Sequence, residues 1–277
     1  MKIQKILFFM MISLWPAWAT AQDFSNIDPQ DESSLRARTK QLTQFIRRFN
    51  AEEGPNGQKY LASHEKYRSP SLRAQYMPYL FDKQTDNFTR QTRNAFMEAV
   101  LDTNSPAYLD FHGPDWFAEL NLKVTFNGAP QDLIVYMKLE KENEGYKWAI
   151  KNVLFEPFSK LFQAQTGEKE FIHPMSHEVE FMNLKKILSN QEKLQQYAYS
   201  GYSPDYLTLF FYEMKRGNMK FDQVQSLKFH FFQVDGWYFE LSNVRRRGKN
   251  AGWLVTNLLE IDPAQKSKYI HLIQNGN

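Results

Sequence analysis

No cysteine occurs among the 277 residues. Disulfides, thiol catalysis and a lipid-modified cysteine at a cleavage site are all excluded. GxSxG, the P-loop, GxGxxG, HExxH and the EF-hand loop are absent as well. Serine-hydrolase, nucleotide and the commonest zinc-protease chemistry therefore lack their usual signatures. An excess of one charge is also missing. The formal net charge is +3, and Lys2 and Lys5 supply two of those charges. A near-neutral remainder gives no argument for a nucleic-acid partner. Long apolar runs are scarce. Ile6 to Trp18 is apolar but interrupted by Pro16, and it is shorter than the roughly 20 residues of a membrane-spanning helix.

That run has a context. The basic stretch MKIQK precedes it and Ala19-Thr20-Ala21 follows, the layout of a secretory signal peptide cleaved after Ala21. The alternative is an uncleaved anchor. The expectation is export, to the periplasm or beyond, with no transmembrane segment in the mature chain. What the chain has in abundance is aromatics, 23 Phe and 14 Tyr among them. Such a composition implies large cores or adhesive surfaces rather than disorder.

Periodicity organises the rest. Leu35, Leu42, Phe45, Ile46 and Phe49 recur at helical spacing and predict a helix over residues 32–52, closed by Gly54-Pro55-Asn56-Gly57. Further helical stretches follow Ser69-Pro70 and run over 86–101. From Phe117 the period becomes two. Strands over 117–126, 133–141 and 146–155, joined by Asn127-Gly128-Ala129-Pro130 and Asn143-Glu144-Gly145, predict an antiparallel meander. The pattern then restarts. A helix opens at Ser176, another at Ser203-Pro204, and strands follow over 224–233, 237–245 and 253–261.

The two meanders echo each other. Residues 118–155 overlay 223–260 without a gap, with Trp148/Trp253, Asn152/Asn257 and Leu154/Leu259 among the identities. Duplication explains this, and chance similarity of two meanders is the alternative. By alternation Asn152 is expected to share a face with Trp148, and Asn257 with Trp253, the tryptophans being core anchors and the amides structural hydrogen bonders.

Helices followed by a curved antiparallel sheet, twice over, resemble the NTF2-like superfamily (cystatin-like α+β roll). The resemblance implies an α+β chain of two tandem NTF2-like domains, residues 22–165 and 166–277 after a 1–21 signal peptide. It also implies a pocket between helices and sheet. The phrases YLDFHGPDWFAEL, GYKWAIKNV and FHFFQVDGWYFEL are similar to those of uncharacterised secreted proteins of Gram-negative gut bacteria, which implies export and no particular activity. NTF2-like folds host enzymes and binding modules alike, so fold does not decide function.

Candidate residues fall in four places. Asp110, His112, Asp115 and Trp116 combine carboxylates, an imidazole and an indole just before the first sheet; a structured turn at Gly113-Pro114 is the plainer reading. His173 and His177 are four apart, but Pro174 and the Ser176 cap separate them and no third ligand is evident, so no metal is expected. Arg245, Arg246 and Arg247 with Lys249 offer an anion grip in the last hairpin, or simply a solvated turn. Polar residues in apolar strands, Asn152, Asn257, His230 and Glu240, either line a pocket or bond structurally. The expected function is an exported, non-catalytic binding or assembly module, without cofactor. Its partner would be another envelope protein or a small apolar or sugar-like ligand. The alternative is an NTF2-like isomerase or hydrolase using His112 or Glu240.

Overall fold

A computed structural model of the chain describes residues 41–54, 57–162, 175, 181, 184–189, 194, 196–246 and 250–275. The expected signal peptide, His173, His177 and the expected division at 165/166 lie outside these. The first described helix is α1 (Leu42–Phe49). It ends where Asn50 leaves the helix, and the Asn50 amide then binds the backbone N–H and C=O of Leu109 at 2.9 and 2.8 Å, mimicking a strand neighbour. Helix α2 (Pro70–Tyr76) starts on a proline at its first turn, where the missing N–H costs nothing. Helix α3 (Arg90–Leu101) is capped by Thr89, whose hydroxyl accepts from Thr92 N–H. The expected start at Asp86 is thus four residues early, because the cap lies at Thr89.

Two meanders follow. The first is β1 (Trp116–Phe126), β2 (Ala129–Glu142) and β3 (Gly145–Leu154). Asn127 and Gly128, with φ of 50° and 80°, make the two-residue turn that matches the twist of a hairpin. Short helices α4 (Glu156–Leu161) and α5 (Leu184–Ser189) come next. Helix α6 (Tyr206–Arg216) is capped by Asp205 rather than Ser203, and Gly217 at φ 77° ends it. The second meander is β4 (Met219–Phe231), β5 (Trp237–Val244) and β6 (Gly252–Glu260). A final helix, α7 (Pro263–Asn275), was not legible from apolar spacing. Its signal is a reciprocal cap, Asp262 with Gln265, each backbone N–H donating to the other's side chain.

The two meanders form one sheet. All six strands are antiparallel in the order β3-β2-β1-β4-β5-β6, so β1 and β4 join the halves edge to edge. Asn121 pairs with Ser226, its own counterpart in the sequence overlay, and donates to its hydroxyl at 2.9 Å. The closing strands keep the overlay too. In each, a bulge precedes the asparagine, Lys151 and Thr256 being the extra residues, and the asparagine pairs with Tyr136 in one half and Glu240 in the other. Each asparagine Oδ1 accepts the next residue's N–H, Val153 at 2.8 Å and Leu258 at 2.9 Å. The first hairpin and its counterpart do not keep it. Leu122 pairs with Leu133, whereas the β4–β5 pairing begins only at Lys228.

The bulges overturn the expected faces. An extra residue flips the alternation. Asn152 therefore points away from Trp148, toward α7, where its amide donates to Ile273 C=O at 3.2 Å. Asn257 likewise lies opposite Trp253 and Val255, which belong to the core. Both amides are structural, as expected, but on the other side of the sheet.

Helices cover the sheet crosswise. Phe45, Phe49, Phe81 and Phe96, from the segment before the first meander, pack on Phe239, Leu241, Trp253, Val255 and Leu258 of the second. Helices α4 and α6 pack on Leu122, Val124, Val135 and Val153 of the first meander, at the other end of the same face. On the opposite face α7 lays Ile273 and Ile270 over Phe117, Tyr136, Phe232 and Tyr238. Burial of this kind contributes roughly 1.5–3 kcal/mol per large side chain.

Candidate functional site

A buried polar chain lies on the α7 face. His230, 7% exposed, sits opposite Glu240 on β5 and Phe117 on β1. Its Nδ1 is 2.8 Å from Tyr238 Oη and its Nε2 is 3.1 Å from Glu119 Oε2. Tyr136 O–H donates to the same carboxylate oxygen at 3.1 Å, and Asn121 donates to Oε1 at 3.3 Å. Burial alone would raise the Glu119 pKa. The His230 hydrogen bond and charge, then the Tyr136 bond and the Lys228 charge, outweigh it and hold the carboxyl below its ordinary value. Burial, then the Glu119 charge and hydrogen bond, pushes the Tyr136 phenol far up. Tyr238 is pushed up by burial, then by Glu240 and Glu119. Both phenols stay protonated, and the Tyr136 hydroxyl donates to Glu119.

Glu240 is committed as well. It takes Lys228 Nζ at 3.3 Å, Ser242 Oγ at 3.2 Å and Thr256 Oγ1 at 3.3 Å. His230 and Glu240, both expected as ligand-binding residues, thus spend their polar atoms on protein partners within the sheet. A general base must reach a substrate proton, and both imidazole nitrogens here already have protein partners.

The network makes a pH prediction. A depressed carboxyl pKa means Glu119 contributes stability that is full above about 4.3, its unfolded value, and is lost as pH falls through the lower folded value. Urea unfolding at pH 7 and pH 4 should therefore show a smaller acid-dependent loss in Glu119→Gln than in the wild type. At pH 7 the variant should be about 1–3 kcal/mol less stable, since His230 loses a charged acceptor. An unchanged acid dependence would refute this account of Glu119.

The segment before β1 builds a second, exposed site on the helix-covered face. Asp110 Oδ1 accepts His112 N–H at 2.8 Å, closing a turn. Gln233 clamps that turn, its Nε2 donating to the carbonyls of Asp110 and Pro114 at 2.8 Å each while its Oε1 accepts Asp110 N–H at 2.9 Å. Asp115 pairs with Lys266 of α7 at 2.8 Å. The structured turn is real, and it aims side chains. His112 lies on Tyr146 with ring centroids 4.3 Å apart. Trp116, buried and stacked on Phe231 at 5.3 Å, meets Trp148 edge to face at 5.5 Å. Trp148 also leans on Phe229 at 6.4 Å.

The outcome is a ring platform on the outermost strand. Tyr146 is 45% exposed and Trp148 41% exposed, whereas the overlaid Trp253 is 9% exposed. Trp148 is therefore a surface ring and not the core anchor its echo suggests. The reason is cover: α1–α3 lie over Trp253 and stop short of β3. Leu139 and Lys141 of β2 stand beside Trp148 and Tyr146. Asp110, His112 and Trp116 are thus brought together. Tyr146 and Trp148 were missed because strand alternation alone does not say which part of a sheet face a helix leaves bare.

The arginine turn is separate. Arg246 ties the β5–β6 connection to the 81–84 segment. It binds Asp82, Gln84 and the side chain and carbonyl of Asn250. Its guanidinium is committed to protein acceptors. Arg245 is exposed, and Arg247 lies outside the described residues. Among the described residues no cluster of three His, Asp or Glu can hold a metal ion, and no helix is long and apolar enough to cross a membrane. Comparison with family models, curated proteins and solved structures returned no match.

Proposed function

We propose that the chain is an exported, non-catalytic binding module of the bacterial envelope, of tandem NTF2-like kind, whose working surface is the Tyr146–Trp148 platform. One observation carries this reading. Two large rings stand more than 40% exposed, yet each is backed by another ring, His112 for Tyr146 and Trp116 for Trp148. Rings held in one orientation before binding lose little conformational entropy on contact. The export half of the proposal rests on the N-terminal sequence.

The test is a binding screen of envelope polymers and small apolar molecules on wild type, Trp148→Ala and Tyr146→Ala. A ligand of the wild type should bind either variant at least about tenfold more weakly, a loss of about 1.4 kcal/mol. A ligand held equally by both variants refutes the platform.

A second reading, an NTF2-like enzyme, has one supporting observation. The His112 ring nitrogens have no hydrogen-bond partner among the described residues, and Asp110 is adjacent. Turnover of any substrate that His112→Ala abolishes would decide for it.

A further inference from the structure

We infer that the ligand of the platform is a carbohydrate chain lying across the faces of Tyr146 and Trp148. This inference rests on the binding reading above and adds the chemistry of the occupant.

The rings come first. Aromatic faces carry the negative lobe of the ring quadrupole. The C–H groups on a pyranose face are weakly positive and form a flat apolar patch of matching size. Tyr146 and Trp148 are two residues apart on one strand and share a face, which sets their origins about 7 Å apart along the strand. That is a strip for consecutive units of a chain. Strand β3 is the outermost strand of the sheet, so the strip is open at its side and a polymer can run past it.

The polar fringe decides between occupants. A protein partner needs a contiguous apolar patch of several hundred Å². Here the rings give way at once to polar groups. Lys141 pairs with Tyr146 on the neighbouring strand and makes no ion pair among the described residues. His112 lies on Tyr146, and its ring nitrogens have no hydrogen-bond partner among the described residues. Asp110 uses Oδ1 on the His112 backbone and makes no hydrogen bond through Oδ2 among the described residues. One cation and one imidazole beside a ring, with the Asp110 carboxylate two residues from that imidazole, are donors and acceptors of the kind that sugar hydroxyls satisfy. A phosphate would instead call for converging cations, and Asp110 would repel it.

The experiment titrates the purified chain with cellohexaose, N-acetylglucosamine hexamer and a hexauronate, read by tryptophan fluorescence and calorimetry. At least one hexamer should bind with a Kd below about 1 mM, a binding free energy of about −4 kcal/mol. Its monosaccharide should bind at least about tenfold more weakly. Trp148→Ala should lose at least about tenfold and Trp148→Phe should recover most of the loss, with far-UV circular dichroism and melting temperature checked for both. An anilinonaphthalene dye serves as an apolar probe. If no hexamer binds but the dye binds in a Trp148-dependent way, the carbohydrate inference falls and the platform stands. If neither binding depends on Trp148, both fall.

Discussion

Phe96→Ala is expected to cost about 3–5 kcal/mol of folding stability. The side chain is fully buried. It reaches from α3 to four other rings: Phe49 at 6.4 Å, Phe81 at 6.0 Å, Trp237 at 5.3 Å and Phe239 at 5.6 Å. Those rings come from α1, from the segment after α2 and from β5. They are fixed by separate elements, so they cannot all move inward to fill the hole, and close-packed interiors do not flow. Loss of the edge-to-face contacts adds to the cavity. Phe96 is also the bolt between helices of the first half and strands of the second. For a domain of this size the loss corresponds to a fall in melting temperature of roughly 2–4 °C per kcal/mol. A thermal melt showing a loss below about 1 kcal/mol would mean that the helix layer does not sit on β5 as described.

The second large effect concerns the echoed tryptophans. Trp253→Ala should cost about 3–5 kcal/mol, as for a buried indole. Trp253 is 9% exposed, packs on Phe229 at 4.8 Å and belongs to the cluster under α1–α3. Trp148 touches the same Phe229 from the other side, at 6.4 Å, and meets Trp116 at 5.5 Å, but its outer face is bare. Solvent fills the space it leaves, so no closed cavity forms, and Trp148→Ala should cost about 1 kcal/mol, within the ordinary range of point changes. One residue type at one position of a repeated pattern thus has two roles, and the covering helices assign them.

Much of this architecture was readable from residue patterns. The switch from helical to alternating spacing at Phe117, and its recurrence from Val224, located the two meanders. The expected turn over Asn127-Gly128-Ala129-Pro130 located the first hairpin, although Ala129 and Pro130 belong to β2. What periodicity could not supply was the partner of each edge. Strand β1 carries Leu122 and Val124 alternating with polar residues whether its neighbour is β2 alone or β2 and β4 together. The single six-stranded sheet therefore emerged only in three dimensions. The bulges at Lys151 and Thr256, just before Asn152 and Asn257, were equally hidden, because one extra residue leaves composition unchanged while reversing a face. At the candidate site, the cluster Asp110, His112 and Trp116 was legible as chemistry-bearing residues close in sequence. Tyr146 and Trp148 join it through the fold, from a strand some 30 residues later. Glu119 escaped notice because an acidic residue in an alternating strand reads as solvent-facing. Its burial depends on His230 and Tyr136 arriving from neighbouring strands.

The central claim is that the uncovered part of β3 is surface while its echo in β6 is core. Side-by-side urea unfolding of the wild type, Trp148→Ala and Trp253→Ala tests it most directly. A loss for Trp148→Ala less than half that for Trp253→Ala is the predicted result, with equal m-values showing that the same cooperative unit unfolds. Equal losses for the two variants would make Trp148 a core residue and contradict the claim.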